Sequence, residues 1–227
     1  FLKEHENPQG KEVLVRHGAR EPFFGTRIGD MKKLTSKIKR DHELSLALYE
    51  TGNSDAMYFA ALIADETQIS KETLERWVRA AYWYLLSESA VAPLAAETPY
   101  GFELARTWID DKEELVADAG WSTYTSLLSI RSNDEFDEEE LEAFLQRIER
   151  TIHTERNRVR YAMNSFVIAL GAYLQQFTER AKAVGARIGR VSVDMGGTAC
   201  KVPVIVPYIE KIESRGAIGK KRKSARC

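Results

Sequence analysis

Cysteine is nearly absent. The 227 residues hold two, Cys200 and Cys227. That excludes a disulfide framework, and neither has Cys or His neighbours at zinc spacing. The expectation is a reducing, cytoplasmic setting, two thiols that are not obligately bridged, and no metal site. His5, His17, His42 and His153 are scattered; His17, beside Arg16, reads as structural. No Ser-His-Asp or Cys-His arrangement is legible. No apolar run approaches the roughly 18 residues of a membrane-spanning helix, so no membrane partner is expected. The chain opens on Phe1, so a trimmed N-terminus is expected, and no signal peptide is legible. Strand-like runs are equally scarce, VSVDMGG at 191–197 being the one example. Proline is sparse and falls mostly in connectors.

What is present is charge and helical periodicity. Hydrophobic residues make up 44% and charged residues 30%, the balance of a soluble globular chain that can bury a substantial core. The net charge of −1 conceals an asymmetry. Lys11, Arg16, Arg20, Arg27, Lys32, Lys33, Lys37, Lys39 and Arg40 crowd the N-terminal part against few acids. Lys220, Lys221, Arg222, Lys223 and Arg226 crowd the end, and DEFDEEELE, 134–142, lies between. Opposed charge blocks point to a polyanionic partner at the basic ends, with plain solvation as the alternative. The acidic run also has a local cause. Ser132 or Asn133 can cap the following helix, and acids in a first turn complement its dipole.

Apolar spacing predicts helices at 8–18, from Asp30 as cap to Arg40, at 43–49 and 54–64, and from Ser70 as cap to about Ala80. The stretch 80–131 reads as three more, 80–95, 99–109 and 112–131. Helices at 137–153, 158–173, 175–186 and 204–214 follow. Trp83 falls early in the first central helix and Trp121 near the middle of the third. Such residues either pack a core or line an aromatic groove for a nucleotide. LALYETGNSDAMYFAALI (46–63) and LARTWIDDKEELVADAGWSTYTSLL (104–128) share a plan: Leu-Ala, an aromatic, a polar turn, then a helix with small residues on one face. Small residues let helices approach closely, and stacked pairs bury a continuous core. The pattern argues for an α-solenoid of HEAT type, with an ordinary helical bundle as the alternative.

RIGDMKKLTSKIKRDHELSLALYETGNSDAMYFAALIAD near the start, the Trp-bearing central helices and NRVRYAMNSFVIALGAY (157–173) carry a resemblance. In order, and over nearly the whole chain, they resemble the AlkD-like DNA alkylation repair proteins, the HEAT-like repeat DNA glycosylases. VSVDMGGTACKVP and GKKRKSARC are similar to a C-terminal extension in one branch of that family. The resemblance implies an all-α fold, a right-handed α-α superhelix of HEAT-like repeats, over 1–190. Residues 191–227 would then be a C-terminal appendage with a basic tail. It also implies double-stranded or branched DNA on a basic concave face, hydrolytic release of alkylated purines, and no small-molecule cofactor.

That chemistry needs a carboxylate to stabilise an oxocarbenium-like sugar and position water, aromatic faces for the cationic base, and basic groups for phosphate. The family's catalytic helix carries Trp-Asp and a second, key Asp shortly after. Here Trp83 matches, but Tyr84 and Ser87 stand at the two Asp positions. Glu88 is adjacent, and one residue along a helix turns a side chain by roughly 100°. It could substitute only if the helix were rotated or its longer arm reached back. On a later helix Trp121 matches, while Tyr124 occupies the position of the family's Arg. The expected DNA groove is Trp83, Tyr84, Ser87, Trp121, Tyr124, Arg158 and Arg160, with Glu88 as the one candidate catalytic carboxylate and with slow or absent excision. The alternative is a non-catalytic HEAT-repeat protein-interaction scaffold, which an acidic or apolar concave face would favour.

Three further motifs remain. VDMGGTACK resembles the Asp-x-Gly-Gly-Thr phosphate loop of sugar kinases and actin-like ATPases, yet no other strands accompany it. A structural turn with an Asp194–Lys201 pair is the expectation. Asn157, Arg158, Arg160 and Asn164 gather near a helix start, a setting that suits phosphate. GKKRKSARC reads as a flexible tail able to contact DNA nonspecifically.

Overall fold

A computed structural model describes residues 1–226 of the chain. Its order is α1 (Pro8–Arg16), α2 (Ile28–Ile38), α3 (His42–Tyr49), α4 (Ser54–Ile63), α5 (Lys71–Ala80), α6 (Tyr84–Leu86), α7 (Ala92–Glu97), α8 (Gly101–Ile109), α9 (Glu114–Ile130), α10 (Glu138–Thr151), α11 (Asn157–Tyr173), α12 (Thr178–Ile188) and α13 (Ile205–Glu213). Side-chain caps set many of the starts. Asn7, Asp41, Asn53, Ser70 and Asp137 each accept a backbone N–H from the first turn that follows, satisfying donors that a helix cannot. Ser132 and Glu135 form a capping box on a one-turn 3₁₀ helix, so α10 is capped by Asp137 instead.

The helices alternate between two layers. α4, the 84–97 helix, α9, α11 and α13 stack side by side as the inner layer, while α3, α5, α8, α10 and α12 back them. Two apolar clusters run through the stack and meet at α9, which places Trp121 in one and Val116 in the other. Small residues permit the close crossings expected of such a stack. A Cβ on Gly120 would stand 2.4 Å from the Ile109 amide nitrogen, so α8 and α9 touch backbone to backbone. On the outer layer the acidic run is not a free block. Glu140 pairs with Arg106 at 2.6 Å and Glu142 with Arg180, while Arg147 holds Asp110 at 2.6 Å. Exposed pairs of this kind each contribute about 0–1 kcal/mol. They tie successive outer helices together and use up those arginines.

Three expectations change. The helix expected at 80–95 does not begin at Ala80. Trp83 is extended, and the helix restarts at Tyr84. Between α6 and α7 the backbone widens into a π-helical turn, Ser87–Val91. Pro93 follows it, and a proline inside a helix lacks one N–H and crowds the preceding turn; widening relieves both. The strand-like run at 191–197 has no partner strand among the described residues. Asp194 instead exchanges two hydrogen bonds with the Asn157 side chain and makes no ion pair with Lys201. Cys200 is a free, exposed thiol; the pairing expectation for Cys227 lies outside the described residues.

The basic tail is docked, not loose. Gly219 N–H reaches the Ala172 carbonyl at 2.8 Å, Lys221 Nζ the Leu128 carbonyl at 2.8 Å, and Arg222 N–H the Ser129 carbonyl at 2.7 Å. Further on, Ser224 and Ala225 donate to Glu97, and Arg226 donates to the Ala61 and Ala64 carbonyls at 3.1 and 2.7 Å. Arg226 also pairs with Glu97 and Glu66. The tail thus runs along the C-terminal ends of α11, α9, α7 and α4. Those ends present unsatisfied carbonyls and the negative pole of the helix dipole, which a cationic strap complements. Removing one partner of a buried ion pair strands the other. Arg226→Ala is therefore expected to destabilise the fold by about 3 kcal/mol, read as a drop in Tm of roughly 6–12 °C. An unchanged Tm would show that the strap is not structural.

Candidate nucleic-acid interface

The opposite edge of the inner layer carries the helix N-termini. The starts of α6, α9 and α11, the end of α1 at Arg16–Gly18, and the 194–196 loop surround a cleft of about 320 Å³. Gly196 fits tightly here, because a Cβ on it would lie 1.9 Å from the Arg16 carbonyl oxygen and its φ is +68°. The loop packs directly on the N-terminal helix and covers part of the cleft.

Beneath it lies a cluster drawn from three inner helices. Arg158 on α11 is 7% exposed. Its guanidinium carbon lies over two rings, 3.8 Å from the centre of Tyr84 and 4.5 Å from that of Tyr161. Its Nε donates to Glu88 Oε1 at 2.9 Å, and Nη2 donates to the same oxygen. Nη1 points at Met195 Sδ, 3.7 Å away, and its backbone N–H donates to Glu114 at 2.6 Å. Behind Glu88, the Asp118 carboxyl of α9 is wholly buried and accepts the Ser87 hydroxyl at 2.7 Å. Burial, and then the neighbouring Glu88 charge, push Asp118 well above the usual carboxyl range. Burial lifts Glu88 as well, and Arg158 partly offsets that.

The sequence-picked residues divide. Tyr84, Glu88 and Arg158 come together, with Ser87 buried behind them. Glu88 faces inward from the π-helical turn, which changes the angular register that regular helical spacing implies. Trp83 is 4% exposed, donates to Ser54 Oγ at 2.9 Å, and forms a wall shared by the cleft and an apolar cavity of about 470 Å³ beneath α1. Arg160 bonds Asn157 at 3.2 Å. Two positions from Arg158, it projects from a different side of α11. Trp121 and Tyr124 are not in the groove. Trp121 packs edge-on against Phe144 and Phe166 in the core, and Tyr124 donates its hydroxyl outward to Glu140 at 2.5 Å. They belong to the 117/121/124/128 stripe, the apolar face that α9 presents to its neighbours. The sequence reading missed Asp118 and Tyr161. An acid inside the otherwise small and apolar VADAGW, and an aromatic three residues after Arg158 on one helix, were their signals.

No group of three or more His, Cys, Asp or Glu side chains among the described residues could hold a metal ion, and no helix is long and apolar enough to cross a membrane. Exposed cations without an ion pair gather on and beside α2, at Arg27, Lys32, Lys37 and Lys39, next to Lys33, which holds Asp30 at 2.8 Å.

Stacked helix pairs with a two-layer core define an all-α superhelix of HEAT-like repeats, and comparison agrees. A family model described as DNA alkylation repair enzyme matches residues 1–187, and the chain belongs to that family. It is 34% identical to an uncharacterised protein of Listeria monocytogenes and 32% identical to one of Listeria innocua, in each case over 94% of this chain and 95% of the relative. A solved structure superposes with a TM-score of 0.91 at 35% identity, covering 100% of this chain and 96% of that one. It represents a family described as related to the HEAT-like repeat DNA glycosylases, with affinity for branched DNA structures.

Two outcomes follow from the geometry. Trp121→Ala is expected to cost about 3–5 kcal/mol of stability, measured by urea unfolding, as a core truncation does; a stable variant with weakened DNA binding would return Trp121 to the groove. The second concerns pH. With both carboxyl groups raised, the folded state binds more protons than the unfolded chain. Their contribution to stability is therefore full below about pH 4 and is lost as pH rises toward the folded values. Asp118→Asn keeps an acceptor for Ser87 and offers an N–H to Glu88. It should flatten that decline and match or exceed the wild type in stability near neutral pH; a slope as steep as the wild type's would show that Asp118 carries no proton.

Proposed function

We propose that the protein binds branched or duplex DNA through its basic N-terminal face and does not excise bases at a useful rate. The observation that carries the second half is the pairing of Glu88 with Arg158. A carboxylate that is to stabilise a developing cation must be free to face it, and losing such a group costs on the order of a hundredfold or more in rate. Glu88 is instead paired with an internal guanidinium and backed by the buried Asp118 carboxyl. The first half rests on the unpaired cations of α2, on membership of the DNA alkylation repair family, and on the branched-DNA affinity described for the related solved protein. Phosphate contacts place a protein on nucleic acid without reading sequence, which suits recognition of DNA shape.

Titration of a labelled four-way junction and a linear duplex at several salt concentrations tests this. Binding should weaken steeply with salt, each phosphate contact adding a slope of about −0.9 in log K against log salt. Lys32→Glu with Lys37→Glu should shrink that slope by about 2 and lower affinity at least tenfold. A salt-independent signal, or none at low salt, removes the DNA reading. Release of methylated purine from duplex DNA should stay at background. Robust release, abolished by Glu88→Gln, would restore the enzyme with Glu88 as its carboxylate.

A further inference from the structure

The guanidinium of Arg158 sits where an external planar cation would sit. It lies over the Tyr84 ring at 3.8 Å and over the Tyr161 ring at 4.5 Å. A single carboxylate oxygen, Glu88 Oε1, takes two of its donors, and Met195 closes the remaining side with a sulfur 3.7 Å from Nη1. The side chains of Arg158 and Glu88 are only 9% and 12% exposed. Burying a guanidinium is costly unless its charge and its faces are both met. Here both are met, by residues from α6, the π-helical turn and α11, with the C-terminal loop as lid. Arg106 and Arg187, by contrast, pair across the outer surface, with Glu140 and Glu149.

We propose that Tyr84, Tyr161, Glu88 and Met195 form a binding cage selective for a planar guanidinium-type cation, and that Arg158 is its resident occupant and the residue that closes it to any other cation. This deepens the reading of the site as unavailable to substrate, and its test contains no DNA, so its failure would leave DNA binding standing. Arg158 is accordingly a specificity-determining residue. Truncating it leaves a buried carboxylate facing a vacant slot shaped for the missing group.

The experiment is chemical rescue. Arg158→Ala should melt below the wild type, and methylguanidinium should restore stability. At about twenty times its Kd the cation is expected to raise Tm by roughly 4–7 °C. Equal concentrations of sodium chloride, or of urea as the neutral planar counterpart, should not. The wild type should show no response, since its cage is filled. Combining Arg158→Ala with Tyr84→Leu should weaken the apparent affinity at least tenfold, and combining it with Glu88→Gln should abolish rescue. If Arg158→Ala does not fold in buffer, refolding is the readout: recovery with methylguanidinium but not with sodium chloride supports the cage, and recovery with neither overturns it. A response shared with urea, or equal in the wild type, also overturns it.

Discussion

Inner helices that all point the same way impose a constraint on everything else. Their dipoles lie side by side, so one edge of the stack gathers unsatisfied N–H groups and the other gathers unsatisfied carbonyls. The chain answers each edge with the opposite charge. At the carbonyl edge, Lys221 and Arg226 arrive on a tail that crosses α11, α9, α7 and α4 in turn. At the N–H edge, Asn53 caps α4, and Glu114 accepts the N–H of Arg158 near the start of α11. The strap joins residues more than a hundred positions apart, as between Arg226 and Ala61. A solenoid otherwise held by contacts between neighbouring repeats thereby gains a contact that spans several. The cost is that part of the basic C-terminus, Lys221 and Arg226, is committed inward, while the cations of α2 stay exposed.

The helices were largely legible because caps and apolar spacing act locally. Ser70 caps α5 as expected, whereas α2 begins at Ile28 and takes Asp30, the expected cap, into its first turn. What was not legible depended on partners far away in sequence. The tail read as flexible because nothing within it shows that Glu97 and the α4 carbonyls await it. Tyr124 read as a groove residue because it stands near Trp121 in a family pattern, while the side of α9 that it occupies is set by packing against Phe136 and Phe144. The π-helical turn had a local signal in Pro93 that was available and not used. Within the candidate site, Tyr84, Glu88 and Arg158 could be singled out one by one. Their mutual arrangement could not, because it depends on the curvature that brings α6, α9 and α11 together.

Charge balance explains why the site holds the groups that it does. One buried guanidinium can neutralise one buried carboxylate, and two acids face it. If both were ionised, the cluster would carry an uncompensated negative charge away from water, which is expensive. Burial opposes this by raising Asp118, the more deeply enclosed of the two, well above the usual carboxyl range, which favours its neutral form. Each member then depends on the others. Arg158 partly offsets the burial that lifts Glu88, and the Glu88 charge in turn lifts Asp118. Turning Glu88 toward a substrate would mean withdrawing Arg158 from two aromatic faces and leaving two acids to share the charge. A closed, internally paired cluster of this kind is compatible with holding nucleic acid on the surface around it, and it opposes the separation of charge that breaking a glycosidic bond requires.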